Sequence, residues 1–170
     1  MLTRITCLFA AALLAACSDG NNHPPVVGPA LAPLEESVAL TSGPILGQGS
    51  ERADTWEWLG VPYAAAPVGE LRWKAPREVT SWTDTRAAQA LPPECPQFDF
   101  FGQYVGQEDC LYLNVWRPRS QERDLPVMVW IHGGGNDWQG TDWPLYNGAR
   151  LAALANIVVV TIQYRLGPLG

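Results

Sequence analysis

Residues 125–135, Leu-Pro-Val-Met-Val-Trp-Ile-His-Gly-Gly-Gly, carry an apolar run straight into three consecutive glycines. Val127–Ile131 reads as a strand, and a second Val/Ile-rich run follows at Ile157–Ile162. Near-continuous apolar strands of this kind are typical of a parallel sheet buried on both faces. Between them Gly148–Ala155 has helical composition and meets Asn156 as a C-terminal stop. Strand, glycine loop, helix, strand is a βαβ unit, which places the chain in the α/β class. The glycines admit two readings. Without a Cβ they let backbone N–H groups approach a reacting oxygen, and they equally make a tight turn after a buried strand.

Working outward, Leu111–Trp116 alternates weakly and reads as another strand, and short β-like pieces with turn signals cover 43–60. Residues 61–96 are proline-rich and predict packed loop. There is no internal repeat. Central parallel strands need helices on both faces, yet one convincing helix is present. The last strand runs into Tyr164–Gly170 and leaves an exposed edge. The expectation is the N-terminal part of a larger protein.

With 47% hydrophobic and 16% charged residues over 170 positions, the chain is globular rather than disordered. A net charge of −6, with no basic patch to neutralise phosphates, disfavours nucleic acid, and no nucleic-acid partner is expected. Met1–Arg4 followed by apolar Ile5–Ala16 is too short to span a bilayer and has the proportions of a secretory signal. It ends in Leu14-Ala15-Ala16-Cys17, which resembles a bacterial lipobox. That resemblance implies cleavage before Cys17 and acylation there, giving an anchor of several acyl chains. The alternative is an ordinary signal cut among the alanines, with the product secreted. Ser18 weakly favours the outer over the inner membrane of the cell envelope. Residues 17–40 then form a Pro/Gly/Asn-rich tether with a reach of roughly 20–25 Å, and the folded domain occupies 41–170. Removing Cys7 with the signal and Cys17 to lipid leaves Cys95 and Cys110. In an oxidising compartment the two are expected to form a disulfide rather than buried free thiols. Neither a metal nor a cofactor is expected, since only His132 and the tether's His23 could assist a cluster.

Several motifs in order point to one family. Trp58-Leu59-Gly60-Val61-Pro62-Tyr63-Ala64, then Pro67–Trp73, then Glu108-Asp109-Cys110-Leu111-Tyr112-Leu113-Asn114-Val115, the glycine run, Tyr146-Asn147-Gly148 and Val158–Gly167 follow one another. From about residue 43 onward the chain resembles type-B carboxylesterases, the carboxylesterase/cholinesterase group of α/β-hydrolases. The resemblance implies the N-terminal part of an α/β-hydrolase fold, incomplete, with a mixed, mostly parallel central sheet. It makes Cys95–Cys110 a disulfide of that family, and Arg72 and Glu108 a structural ion pair; from the residues alone both would be solvated charges. It assigns the N–H groups of Gly134 and Gly135 to an oxyanion hole of the HGGG type, with Gly133 shaping the turn. His132, beside those glycines, is implied to be structural and not a catalytic base. Trp138 and Trp143 could line an acyl or alcohol pocket, although core packing is the default for most of eight tryptophans.

Two departures stand out. Asn136 follows the glycines where the family commonly has an aromatic residue. The loop between Cys95 and Cys110 holds no tryptophan, which argues against a choline site; Phe98, Asp99, Phe100 and Phe101 are expected to cover the fold. The chemistry is also incomplete. An esterase triad needs serine, histidine and a carboxylate, but no Gly-x-Ser-x-Gly occurs, and Ser37, Ser42, Ser50, Ser81 and Ser120 lie outside such a context. In the family's order the triad follows the glycine loop, so all three members are expected beyond Gly170. The expected function is a fragment of a secreted, lipid-anchored hydrolase of small-molecule carboxylic esters. The alternatives are a non-catalytic binding or adhesion relative, and a truncated inactive product.

Overall fold

A computed structural model describes residues 36–170. The signal peptide, Cys17 and the tether up to residue 35 lie outside the described residues.

The strands in chain order are β1 (Ser37–Leu40), β2 (Gly43–Leu46), β3 (Gln48–Gly49), β4 (Thr55–Pro62), β5 (Arg86–Ala87), β6 (Gln97–Phe98), β7 (Tyr104–Val105), β8 (Tyr112–Pro118), β9 (Val127–Ile131) and β10 (Val158–Ile162), with helix α1 at Ala149–Ala155. The main sheet has the order β3-β4-β8-β10-β9. Pairing is antiparallel from β3 to β4, β4 to β8 and β8 to β10, and parallel only between β10 and β9. The sheet is mixed, as the family resemblance implies, but within the described residues its parallel character is confined to that one pair.

The folded part begins earlier than a boundary at 41. Ser37–Leu40 pairs in register with Leu46–Gly43, and Val38 and Leu40 pack towards Ile45 and Trp58. Four residues, three of them apolar, become a strand because β2 supplies the other half of the hairpin. Residues 61–96 are irregular apart from the two-residue β5 and a short 3-10 turn at Gly69–Leu71.

The core sits where α1 crosses β8 and β10. Ala149 and Ala152 of α1 pack with Trp116, Val159 and Leu59, all buried. The helix lies this close because Gly148 opens it. A Cβ there would stand 2.6 Å from Val159 Cγ1 and 2.8 Å from Trp116 Cε3. Asn147 Oδ1 accepts from the Ala149 N–H at the helix start, and Asn156 ends the helix in the left-handed region at φ 53°. A side-chain pair links the neighbouring strands β4 and β8. Trp116 Nε1 donates to Glu57 Oε2 at 3.1 Å, so neither group is buried without a partner.

The burial expected for both Val/Ile-rich strands is not found. β10 alternates, with Val159 and Thr161 buried, whereas Val127, Val129, Trp130 and Ile131 of β9 are exposed. Among the described residues β9 is the outer strand and no strand pairs with its free edge.

Candidate active site

The glycine loop leaves β9 at His132 and must return to α1, and its first residues are fixed by local sterics. Gly134 adopts φ 105° and Gly135 φ 65°. A Cβ on Gly134 would stand 1.9 Å from the Trp138 carbonyl oxygen, so no other residue fits there. Gly133 has no such constraint: its φ is not positive and a Cβ would meet nothing within 4 Å. The turn is therefore shaped at Gly134 rather than at Gly133. The Gly134 carbonyl accepts from the N–H groups of Asp137 at 3.1 Å and Trp138 at 3.3 Å, closing the loop on itself. By contrast, the N–H groups of Gly134 and Gly135 have no acceptor among the described residues. Gly135 is exposed and Gly134 half-buried. Two neighbouring N–H groups are thus left free at a turn whose Gly134 and Asn136 carbonyls are both paired.

His132 is buried, with its ring stacked on Tyr164 at 4.4 Å between centroids. Its Nδ1 lies 2.9 Å from the Gly133 carbonyl, which can only accept, so Nδ1 carries the proton and donates. Burial pushes the imidazole below its ordinary pKa. A neutral, stacked ring next to the loop suits support, and no serine or carboxylate is hydrogen-bonded to it. The Tyr164 hydroxyl donates to the His132 carbonyl at 2.7 Å, and the Gly167 N–H donates to the Asn136 carbonyl at 2.7 Å, so the segment after β10 braces the glycine run on both sides.

The far end of the loop is tied to the sheet through Asn114 of β8. Its Oδ1 accepts from the N–H of Gly60, at the bulge in β4, at 2.9 Å. Its Nδ2 donates to Thr141 Oγ1 at 3.0 Å and Thr161 Oγ1 at 3.1 Å. Asn114, Thr141 and Thr161 are all buried and mutually satisfied, which makes this network a rigid post under the loop.

Cys95 and Cys110 are joined by a disulfide. Arg72 forks onto both oxygens of Glu108, at 2.8 and 2.6 Å, and fastens the loop after β4 to the residues leading into β8. The pair holds the Glu108 carboxyl below its ordinary pKa through the hydrogen bond from Arg72. Both side chains are half-exposed and far in role from the free N–H pair. The aromatic residues depart from expectation. Phe100 and Phe101 stand 87% and 82% exposed rather than covering the fold. Trp143 is also exposed and Trp138 half-buried, their rings edge-to-face at 6.0 Å, so neither belongs to the core.

Two acidic groups near the loop escaped the sequence. Glu94 and Asp142 share a hydrogen bond, and burial, that contact and the neighbouring Asp142 and Asp99 charges push Glu94 up to about 7. Nothing local in either stretch announces a meeting between residues so far apart in the chain.

Comparison with known proteins gives the family. A family model described as the carboxylesterase family matches residues 34–170. The chain is 42% identical over 129 residues to a para-nitrobenzyl esterase of Bacillus subtilis (strain 168), covering 72% of this chain and 26% of that protein. It is also 42% identical over 146 residues to a phenmedipham hydrolase of Pseudarthrobacter oxydans, covering 81% of this chain and 29% of that one. A solved structure of a PNB esterase superposes with a TM-score of 0.74 at 42% identity, over 81% of this chain and 28% of that chain. The chain therefore spans little more than a quarter of the length of these relatives.

Proposed function

This chain belongs to the carboxylesterase family, and from that premise we propose that it is the N-terminal portion of a serine-dependent carboxylic ester hydrolase whose oxyanion is held by Gly134 and Gly135. The observation that carries this reading is the pair of adjacent unpaired N–H groups on a turn held by Tyr164, Gly167, Gln97 and the Asn114 network. When a nucleophile adds to an ester carbonyl, the oxygen becomes negative, and donors fixed in advance stabilise it without reorganising. Gly134 and Gly135 supply two such donors. The serine, the orienting carboxylate and the histidine base fall to the remainder of the protein, in that order, together with the N–H that follows the nucleophile. His132 keeps its neutral, supporting place. The substrate is a small carboxylic ester; the walls that choose its acyl and alcohol groups belong to the part that carries the nucleophile. The lipobox at Leu14–Cys17 supports export and acylation of Cys17, which would hold the domain at the cell envelope on its tether.

The test is hydrolysis of a p-nitrophenyl ester by this chain and by the protein continued through its downstream coding sequence. The 170-residue chain should show no turnover, and the continued protein should turn over and be silenced by a serine-directed phosphonate. Gly134→Ala in the continued protein should lower kcat by roughly 10²–10³, the cost of a displaced oxyanion donor. Phosphonate-sensitive activity in the chain alone would place the nucleophile within it, and an unchanged kcat in Gly134→Ala would remove the oxyanion role. Incorporation of a fatty-acid probe that persists in Cys17→Ala would rule out acylation at that residue.

A further inference from the structure

We propose that Gln97 is a positioning residue for the glycine loop: it grips both backbone groups of Gln139 and so fixes the turn that presents the Gly134 and Gly135 N–H groups. Its use in catalysis rests on the oxyanion assignment above; the grip itself does not. Gln97 lies in β6, on the hairpin that follows Cys95, and is buried. Its Oε1 accepts from the Gln139 N–H at 2.6 Å, and its Nε2 donates to the Gln139 carbonyl at 3.1 Å. The second Nε2 hydrogen goes to the Cys95 carbonyl at 3.1 Å. One side-chain amide thus treats Gln139 as a paired strand would.

Gln139 needs such a grip. Its φ of 89° lies where residues with a side chain rarely sit, and a conformation of this kind persists only when its surroundings over-determine it. The Tyr146 hydroxyl adds a third hold by donating to Gln139 Oε1 at 2.8 Å. From Gln139 the constraint reaches the site in one step: the preceding residue, Trp138, donates its N–H to the Gly134 carbonyl, and the Trp138 carbonyl sits against the space a Gly134 Cβ would fill. Gln97 is itself anchored. It pairs with Val105 across the hairpin, and Cys95 two residues earlier is bonded to Cys110, which leads into β8. The sheet, the disulfide, Gln97, Gln139 and Gly134 form one mechanical line.

A buried glutamine that merely satisfies itself would lower stability everywhere when replaced. A positioning glutamine loosens one turn. Amide hydrogen exchange on the full 170-residue chain separates the two, using Gln97→Met and Gln97→Glu. In Gln97→Met, protection at Asp137, Trp138 and Gln139 should fall by about tenfold or more, the worth of the two lost hydrogen bonds, while β8 and β10 stay protected. Gln97→Glu reads the chemistry. Its protonated carboxyl donates to the Gln139 carbonyl and accepts from the Gln139 N–H; its carboxylate only accepts and faces the Gln139 and Cys95 carbonyls. Relative to the wild type at each pH, which corrects for Glu94, Asp99 and Asp142 nearby, its protection at Asp137–Gln139 should be closer to wild type at pH 5, short of it by the lost bond to the Cys95 carbonyl, and should fall to that of Gln97→Met at pH 9. In the continued protein kcat should follow the same pattern with KM within about twofold, since misplacement of this size costs about ten- to a hundredfold in rate. Unchanged protection at Asp137–Gln139 in Gln97→Met, protection lost uniformly across the sheet, or a Gln97→Glu variant equally impaired at both pH values would each overturn the proposal. The exchange arms read no turnover, so a continued protein that hydrolyses no ester would sink the proposed function while leaving the grip to its own data.

Discussion

β8 and β9 flank the two sides of the same strand, β10, and their fates differ. In β8, Asn114, Trp116 and Pro118 are buried, with β4 alongside and α1 packed onto Trp116. In β9, Val127, Val129 and Ile131 are 62%, 55% and 62% exposed. The more apolar of the two strands is the more exposed. Apolar content states what a strand is fit for; neighbours decide whether its roughly 25 cal/mol per Å² of apolar burial is realised. Within the described residues β8 is paired along both edges and covered by α1, whereas β9 is paired along one edge and reaches the core only through Met128. An exposed, contiguous apolar strand marks a surface that other structure covers, and relatives nearly four times as long as their shared part have structure to spare for it. The difference reaches the candidate site, because the glycine loop hangs from β9 at one end and from the Asn114 network and Gln97 at the other.

The sharpest way to break this comparison is Trp116→Ala. If β8 carries the fold, removing this fully buried side chain should cost about 3–5 kcal/mol in urea unfolding of the chain, since it opens a cavity and strands Glu57 Oε2. A loss under about 1 kcal/mol would show that β8 is no better supported than β9. Opening the Cys95–Cys110 bridge comes next. Closing a loop of this length contributes about 3 kcal/mol in the chain-entropy model, so the double Cys95→Ala, Cys110→Ala variant should lose that much. The loss should concentrate, in exchange measurements, at β6, β7 and the glycine loop.

A pH profile probes the same well-braced side. Burial first, then the contact with Asp142, raises Glu94 to about 7 in the folded chain from an ordinary 4.5. A carboxyl raised on folding stabilises while it is protonated in both states. Its contribution is therefore whole below about pH 4.5 and is lost as pH rises through about 7. Glu108 runs the opposite way, being held low by Arg72, and its contribution is lost only as pH falls below 4.5. Stability should decline between pH 5 and 8, and Glu94→Gln should flatten that slope. A slope that survives Glu94→Gln assigns it to another group.

Much of the fold was legible in the sequence, and for physical reasons. The βαβ unit around the glycines reads from periodicity and composition, and the helix stop at Asn156 reads from a residue able to take φ 53°. The disulfide reads from cysteine count. What stayed hidden depends on distant partners. Ser37–Leu40 is a strand only because β2 folds back on it, and the two-residue β6 and β7 have no period to detect. The exposure of β9 could not be read from its own residues, because they suit a covered strand. At the site, the glycines announced themselves, but Gln97 did not. Its role lies in meeting Gln139 across the fold, and the only sequence hint is a polar residue two places after a paired cysteine.

The smallest expected effect gives the finest test of how β9 differs. Val129→Thr keeps the side chain's shape and adds a hydroxyl, a change that buried sites resist. Val129 pairs with Val160 of β10 and is more than half exposed in this chain. Water can therefore satisfy the hydroxyl, and unfolding of the 170-residue chain should change by no more than about 0.5 kcal/mol. In the protein continued through its downstream coding sequence, the same substitution should cost about 1–3 kcal/mol if further structure covers that face, since the hydroxyl would then be buried without a partner. Equal small costs in both would mean that β9 remains a water-facing edge. Equal large costs would mean that Val129 is covered already, and the contrast between β8 and β9 would lose its basis. Only a cost that appears on continuation fits a strand whose apolar face waits for a neighbour, with the glycine loop steadied from β9's side once that neighbour is in place.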